Sequence, residues 1–142
     1  MKKLMILLLT SISISVLPAQ QKADDILGIW SVDSQDAHIE ISQEGGEYVG
    51  KIVWLQAPNA DKGEPKTDKK NPDKNLRGRS LMGMPMLTGL TYQDGSWEGG
   101  EIYSAQKGKT ANCSLKLIGT DKLVVTAKVL RFTTTKEWTR VK

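Results

Sequence analysis

From residue 38 onward this chain alternates polar and apolar residues with a period of two, and past residue 20 no stretch shows the spacing of an amphipathic helix. His38-Ile39-Glu40-Ile41-Ser42 begins the pattern. Glu44-Gly45-Gly46 reads as a turn, and Tyr48 to Leu55 as the return strand of a hairpin. On that strand Tyr48, Gly50, Ile52 and Trp54 share one face, and Val49, Lys51 and Val53 the other. Asp94-Gly95 separates Leu90-Thr91-Tyr92 from Ser96-Trp97-Glu98. Cys113, Leu115 and Leu117 share a face, Gly119-Thr120-Asp121 turns the chain, and Leu123, Val125, Ala127 and Val129 alternate on the way back. Successive hairpins with aromatics in both end strands predict an all-β, antiparallel up-and-down β-barrel, whose closure would remove exposed sheet edges.

The pattern breaks once, over residues 56–80. Pro58, Pro65 and Pro72 punctuate this stretch, and Lys, Asp and Asn dominate it. A loop of this length inside a compact domain is either solvated and mobile or functional. The stiffness of Asn71-Pro72-Asp73 favours a docked loop, in which Asp68, Asn71 and Asp73 hold Arg77 and Arg79 over the barrel mouth.

A single domain is expected over residues 20–142, preceded by a signal peptide over residues 1–19. Lys2 and Lys3 form its basic start, Leu4 to Leu9 its apolar run, and Ala19 its small residue for cleavage. The localisation implied is periplasmic or secreted. Cys113 is the only cysteine, so the core must hold the fold without an internal disulfide. The formal charge of +4 falls to +2 when Lys2 and Lys3 leave, a balance too mild to argue for a nucleic-acid partner or an anionic membrane. No stable membrane insertion is expected after cleavage, and oligomeric state is left open.

Gly50-Lys51-Ile52-Val53-Trp54, Asp68-Lys69-Lys70-Asn71-Pro72-Asp73 and Leu76-Arg77-Gly78-Arg79-Ser80-Leu81-Met82-Gly83 resemble the signature of bacterial domain-of-unknown-function family 2147. Gly100-Glu101-Ile102-Tyr103, Gly108-Lys109-Thr110 and Trp138-Thr139-Arg140 fit it as well. Two places depart from the pattern: Ala111 stands where an aromatic is expected, and the stretch before Trp138 is short and Thr-rich. The resemblance implies an exported, lipocalin-like (calycin-type) barrel with one long loop, and it carries no biochemical activity. It also implies an end-seal. In small lipocalin-like barrels a Gly-x-Trp on the first strand meets an arginine on the last, which here designates Gly28, Trp30, Trp138 and Arg140. A planar guanidinium can stack on the indole while its donors reach backbone carbonyls.

Catalytic constellations are not apparent. His38 sits on a polar face and Cys113 on an apolar one, so nucleophile and base are apart. No cofactor or metal site is expected. One His and one Cys cannot make a zinc site, and Asp61, Asp68, Asn71 and Asp73 match no recognised calcium loop. Arg77 and Arg79 would share a face of an extended segment and could hold an anion, or could pair with Asp68 or Asp73. Met82, Met84 and Met86 alternate toward a core or a ligand surface. Arg77, Arg79, Met84, Trp54 and Tyr103 are the candidate ligand-binding residues.

Three functions remain open on these residues. The leading one is a non-catalytic binding module for a small amphipathic or apolar ligand, or for an envelope protein. The second is an enzyme acting on an anionic envelope substrate through Arg77, Arg79 and a carboxylate. The third is a filled, ligand-free interaction protein. A cavity of several hundred Å³ would favour the first. The exported chain should begin near Gln20, because the apolar run ends before Pro18-Ala19. N-terminal sequencing of the exported protein checks this, and finding Met1 there would count against cleavage.

Overall fold

Each alternating segment forms one strand of a closed barrel. In the computed structural model, which describes residues 12–15 and 21–142, the strands are β1 (Gly28–Ser31), β2 (Ala37–Glu44), β3 (Glu47–Leu55), β4 (Pro85–Gln93), β5 (Ser96–Ser104), β6 (Lys109–Ile118), β7 (Lys122–Val129) and β8 (Phe132–Arg140). Residues 12–15 carry no regular structure, and the rest of the expected signal peptide lies outside the described residues. Neighbouring strands pair antiparallel in chain order, and β8 returns to β1. The barrel is therefore up-and-down, with one long connection between β3 and β4. The two departures from the family pattern leave the ladder intact. Ala111 pairs with Ile102, and β8 pairs with β7 from Phe132 to Thr139.

The strand order gives the barrel two unlike ends. One end carries the β2–β3, β4–β5 and β6–β7 turns and a short 3-10 helix, Ala23–Ile26, that crosses it. The indole N–H groups of Trp30 and Trp97 donate to the carbonyls of Ile26 and Ala23, at 2.9 and 3.1 Å. Tyr48 Oη donates to Asp24 at 2.6 Å, and Tyr92 Oη to the Gln21 carbonyl at 2.9 Å. Burial and the neighbouring Asp24 carboxylate push the Tyr48 phenol up to about 12. Beneath this cap Ile39, Ile41, Leu87, Leu90, Trp97, Leu115 and Leu123 are almost fully buried.

β1 is short, and its seam with β8 consists of two residue pairs, Trp30↔Arg140 and Ser31↔Thr139. Arg140 reinforces the seam. Its Cζ lies 4.3 Å from the centre of the Trp30 ring. Its nitrogens donate to the carbonyls of Leu27 and Asp25 at 2.7 Å each and of Thr120 at 2.8 Å. Gly28 has φ of +129°, and a Cβ there would stand 2.8 Å from Arg140 Nη1. Only glycine allows both the backbone conformation and the arginine's approach. Trp138 is buried on β8, on the inner wall above this seal.

Within the strands, Trp54 departs from the expected facing. Trp54 is 41% exposed on the outer wall, its ring centre 4.4 Å from that of His38 with the two planes tilted by 32°. A bulge causes this: His38 opposes Trp54 and Ile39 opposes Ile52, so Val53 is an extra residue in β3. The alternation slips by one, and Leu55 rather than Trp54 returns to the interior.

Trp30→Ala should lower stability by about 3–5 kcal/mol, the cost of truncating a core tryptophan. Arg140→Ala should lower it by less, about 1–2 kcal/mol, since a stacked cation and its carbonyl bonds are lost at a partly exposed site. Urea unfolding measures both, and an unchanged midpoint in Arg140→Ala would mean that the stacked arginine does not hold the seam.

Candidate functional site

Above the packed half, the other end of the barrel opens into a cavity of about 770 Å³. Its wall is apolar: Ile52, Leu55, Met84, Met86, Ile102, Val125, Ala127 and Trp138 line it. Ala111 and Ala127 contribute no bulk there, and this is part of why the space exists. Its rim is polar and mostly basic, with Lys66, Lys107, Lys109 and Lys136 beside Asp33 and Asp36. An apolar well with a charged mouth accepts a molecule with an apolar body and a polar head.

The long loop forms one side of this cavity, through Gln56, Ala57, Lys66, Leu81 and Met84. It is docked by a buried carboxylate. Asp68 is 0% exposed. Tyr103 Oη donates to its Oδ1 at 2.6 Å, and Asn71 Nδ2 to its Oδ2 at 2.8 Å. Arg79 reaches the same Oδ2 with Nε at 3.0 Å and Nη2 at 2.9 Å. Burial alone would raise the Asp68 carboxyl. The hydrogen bonds from Tyr103, Asn71 and Arg79, with the guanidinium charge, outweigh it and hold the carboxyl below the usual carboxylate value. The same contact works on Tyr103, whose phenol is pushed up to about 12 by burial and by the Asp68 carboxylate. Two more contacts press the loop on the β5–β6 hairpin. Lys70 Nζ donates to the Gln106 carbonyl at 2.8 Å, and a Cβ on Gly108 (φ +64°) would collide with the Lys70 carbonyl at 2.0 Å.

The other sequence candidates fall in different places. Asp73 does not hold an arginine: it accepts from the Asn75 amide at 2.9 Å and starts a 3-10 helix, Lys74–Leu76. That helix also ends the idea of an extended segment with Arg77 and Arg79 on one face. Arg77 sits at its C-terminal end in a helical conformation and donates to the Asn71 carbonyl at 2.7 Å, away from the cavity. Arg79 and Tyr103 border a second recess of about 230 Å³, together with Asn71, Glu101 and Thr110. Met84 and Met86 face the main cavity, whereas Met82, in the turn before β4, is 40% exposed. Cys113 is buried, and burial with the nearby Glu101 and Glu98 charges pushes its thiol up to about 12, which disfavours thiolate chemistry. The oxygens of Asp68 face Tyr103, Asn71 and Arg79, and Asp61 is exposed elsewhere on the loop.

Sequence reading missed most of the cavity wall. Period-two alternation marks Val125 and Ala127 as inward-facing, but it cannot tell a filled interior from an open one. The cap formed by Gln21 to Ile26 had no signal either, since four residues of 3-10 helix show no period.

Residues 28–140 match a family described as an uncharacterised protein conserved in bacteria, DUF2147. Among solved structures the chain is similar to protein HP1028 of the human pathogen Helicobacter pylori, described as belonging to the lipocalin family. The two share 24% identity with a TM-score of 0.70, over 82% of each chain, which is a likeness of fold. No curated protein matches the sequence.

The Asp68 network should make loop docking pH-dependent at both extremes. The carboxyl is depressed in the folded chain, so its contribution is full above the unfolded value of about 4 and is lost as pH falls through the lower folded value. Tyr103 is raised, so its contribution is full below about 10 and is lost as pH climbs toward about 12. Urea midpoints of the native chain and of Asp68→Asn should differ by a constant amount from about pH 5 to 9 and converge below about pH 4. A difference that persists unchanged at about pH 3 would show that the carboxylate charge does not dock the loop.

Proposed function

The chain belongs to the DUF2147 family of uncharacterised bacterial proteins, and on its lipocalin-like barrel we propose that it is an exported, non-catalytic binding protein for a small amphipathic molecule. The single observation that carries this is the cavity. Its volume of about 770 Å³ falls within the roughly 300–1,000 Å³ of ligand pockets. A barrel of eight strands has room either to fill with side chains or to hold one small ligand. Here the aromatic bulk of Trp30, Tyr48 and Trp97 is gathered at the closed end, and alanines and methionines line the open one. The apolar part of the ligand would lie against Met84, Met86 and Ile102, and an anionic head would sit among Lys66, Lys107 and Lys109. The docked loop, fixed through Asp68 and Tyr103, would shape one side of the site and set access to it.

An enzymatic reading has less behind it. The recess beside Arg79 holds a guanidinium that is already committed to Asp68, and Arg77 is bonded to a backbone carbonyl. A free pair of guanidiniums, which bidentate capture of an anionic substrate needs, is therefore lacking at this place.

The test is a saturable fluorescence titration with a dansyl-labelled fatty acid, read against Ala111→Trp. Ala111 lines the cavity and pairs with Ile102, so the new indole would occupy ligand space. Affinity should fall by about tenfold or more, equivalent to about 1.4 kcal/mol, while the fold is retained. Absence of saturable binding, or equal binding by a folded Ala111→Trp, would defeat the proposal. Native mass spectrometry of the purified protein would identify any ligand that it carries.

A further inference from the structure

At the rim of the cavity, the β7–β8 hairpin exposes three large apolar side chains. Val129, Leu130 and Phe132 are 49%, 86% and 78% exposed. None of them belongs to the buried core. The turn itself is built against its residues. It is a two-residue connection in which Leu130 has φ of +54°, while Arg131 is not in the positive-φ region. A hairpin with positive φ at its first turn position ordinarily places glycine there. Leucine at this position is strained and leaves its whole side chain in water. Folding gains nothing from it, so a contact outside the chain is the physical reason to look for.

The surroundings indicate the kind of contact. Lys128 and Arg131 flank the apolar residues within the hairpin. β6 pairs with β7 through Asn112↔Lys128, so the start of β6 brings Lys109, and the preceding turn Lys107, to the same rim. Among the described residues none of these four cations is in an ion pair. The carboxylates lining the mouth are Asp33 and Asp36. Asp33 is paired with Lys136 at 3.1 Å, and Asp36 accepts from the Ser34 hydroxyl. The mild net charge of the chain thus conceals a local basic ring around an apolar tip.

We propose that this hairpin docks the protein on an anionic lipid bilayer. Val129, Leu130 and Phe132 enter the interfacial layer, and Lys107, Lys109, Lys128 and Arg131 meet the lipid phosphates. A bilayer fits better than a protein partner because the apolar surface is a narrow wedge on a two-residue turn. A stable protein interface needs a broad patch of roughly 800 Å² on each side. The attachment is peripheral, through side chains of one hairpin. It brings the cavity mouth to the lipid surface, although the docking does not require that the cavity hold a ligand.

Vesicle flotation tests this directly. The purified protein should float with phosphatidylcholine vesicles containing about one-third phosphatidylglycerol, at least about tenfold more than with phosphatidylcholine alone, and raised salt should release it. The double variant Leu130→Gly, Phe132→Ser should lose flotation by about tenfold or more. Glycine suits the positive φ at this turn, so the variant should melt no lower than the native chain. Lys107→Gln with Lys109→Gln should weaken binding to the anionic vesicles only. Ala111→Trp should float normally, which separates this docking from ligand binding in the cavity. Failure of the native protein to float, or flotation that survives the hairpin substitutions, would overturn the proposal. Self-association through the tip without flotation, seen by size-exclusion chromatography, would overturn it in favour of a second copy.

Discussion

Arg140 sits at the seam with the fewest paired residues in the barrel, where β8 meets β1. Its guanidinium lies over Trp30 and donates to three backbone carbonyls, from the segment before β1 and from the β6–β7 turn. The β1–β8 seam would otherwise rest on two residue pairs, whereas β7 and β8 share eight. A planar cation is suited to this position, because it offers a flat face to the indole and a fork of donors to carbonyls that no strand satisfies. The cap of Gln21 to Ile26, the tyrosine hydroxyls bonded to it and the aromatic core below it all rely on that seam being shut.

Closing one end so firmly leaves the other end free to be shaped. The bulky residues concentrate under the seal, and the cavity forms where Ala111 and Ala127 stand instead. The long loop then has to be held without a ladder of its own, apart from isolated bridges at Asn59↔Pro65 and Thr67↔Ser80. Asp68 supplies this. A carboxylate buried completely is costly, and it is tolerable only because four donor contacts surround it. One of those donors, Tyr103, also lines the cavity, so the docking of the loop and the shape of the site are physically one arrangement.

Local pattern carried a good deal of this fold. Strand positions, hairpin turns and the barrel class follow from alternation and from Gly and Asp turns, because a half-buried strand must expose every second residue. Trp54 marks where such reading stops. Its place on the inward face follows from strict alternation, and one inserted residue opposite His38 reverses it. Asp73 marks another limit. Its proximity in sequence to Arg77 and Arg79 suggested an ion pair, but the local backbone drew it into capping the turn of Lys74–Leu76. Met82 marks a third, because it lies in the turn before β4, where the period of two does not hold, and it is exposed while Met84 and Met86 face the cavity.

Sequence by itself determined the periodic elements: successive alternating segments joined by Gly and Asp turns, one long polar loop, a lone cysteine on an apolar face, and aromatic and arginine residues in the first and last strands. These are local properties, set by neighbours one to four residues apart. Tertiary structure alone decided which contacts those residues make across long separations. It joined Arg140 to Leu27, Asp68 to Tyr103 and Lys70 to Gln106. It also decided that the barrel is hollow at one end and not the other. A cavity is a property of volume summed over opposing strands, and no single strand records what the strand across from it fails to fill.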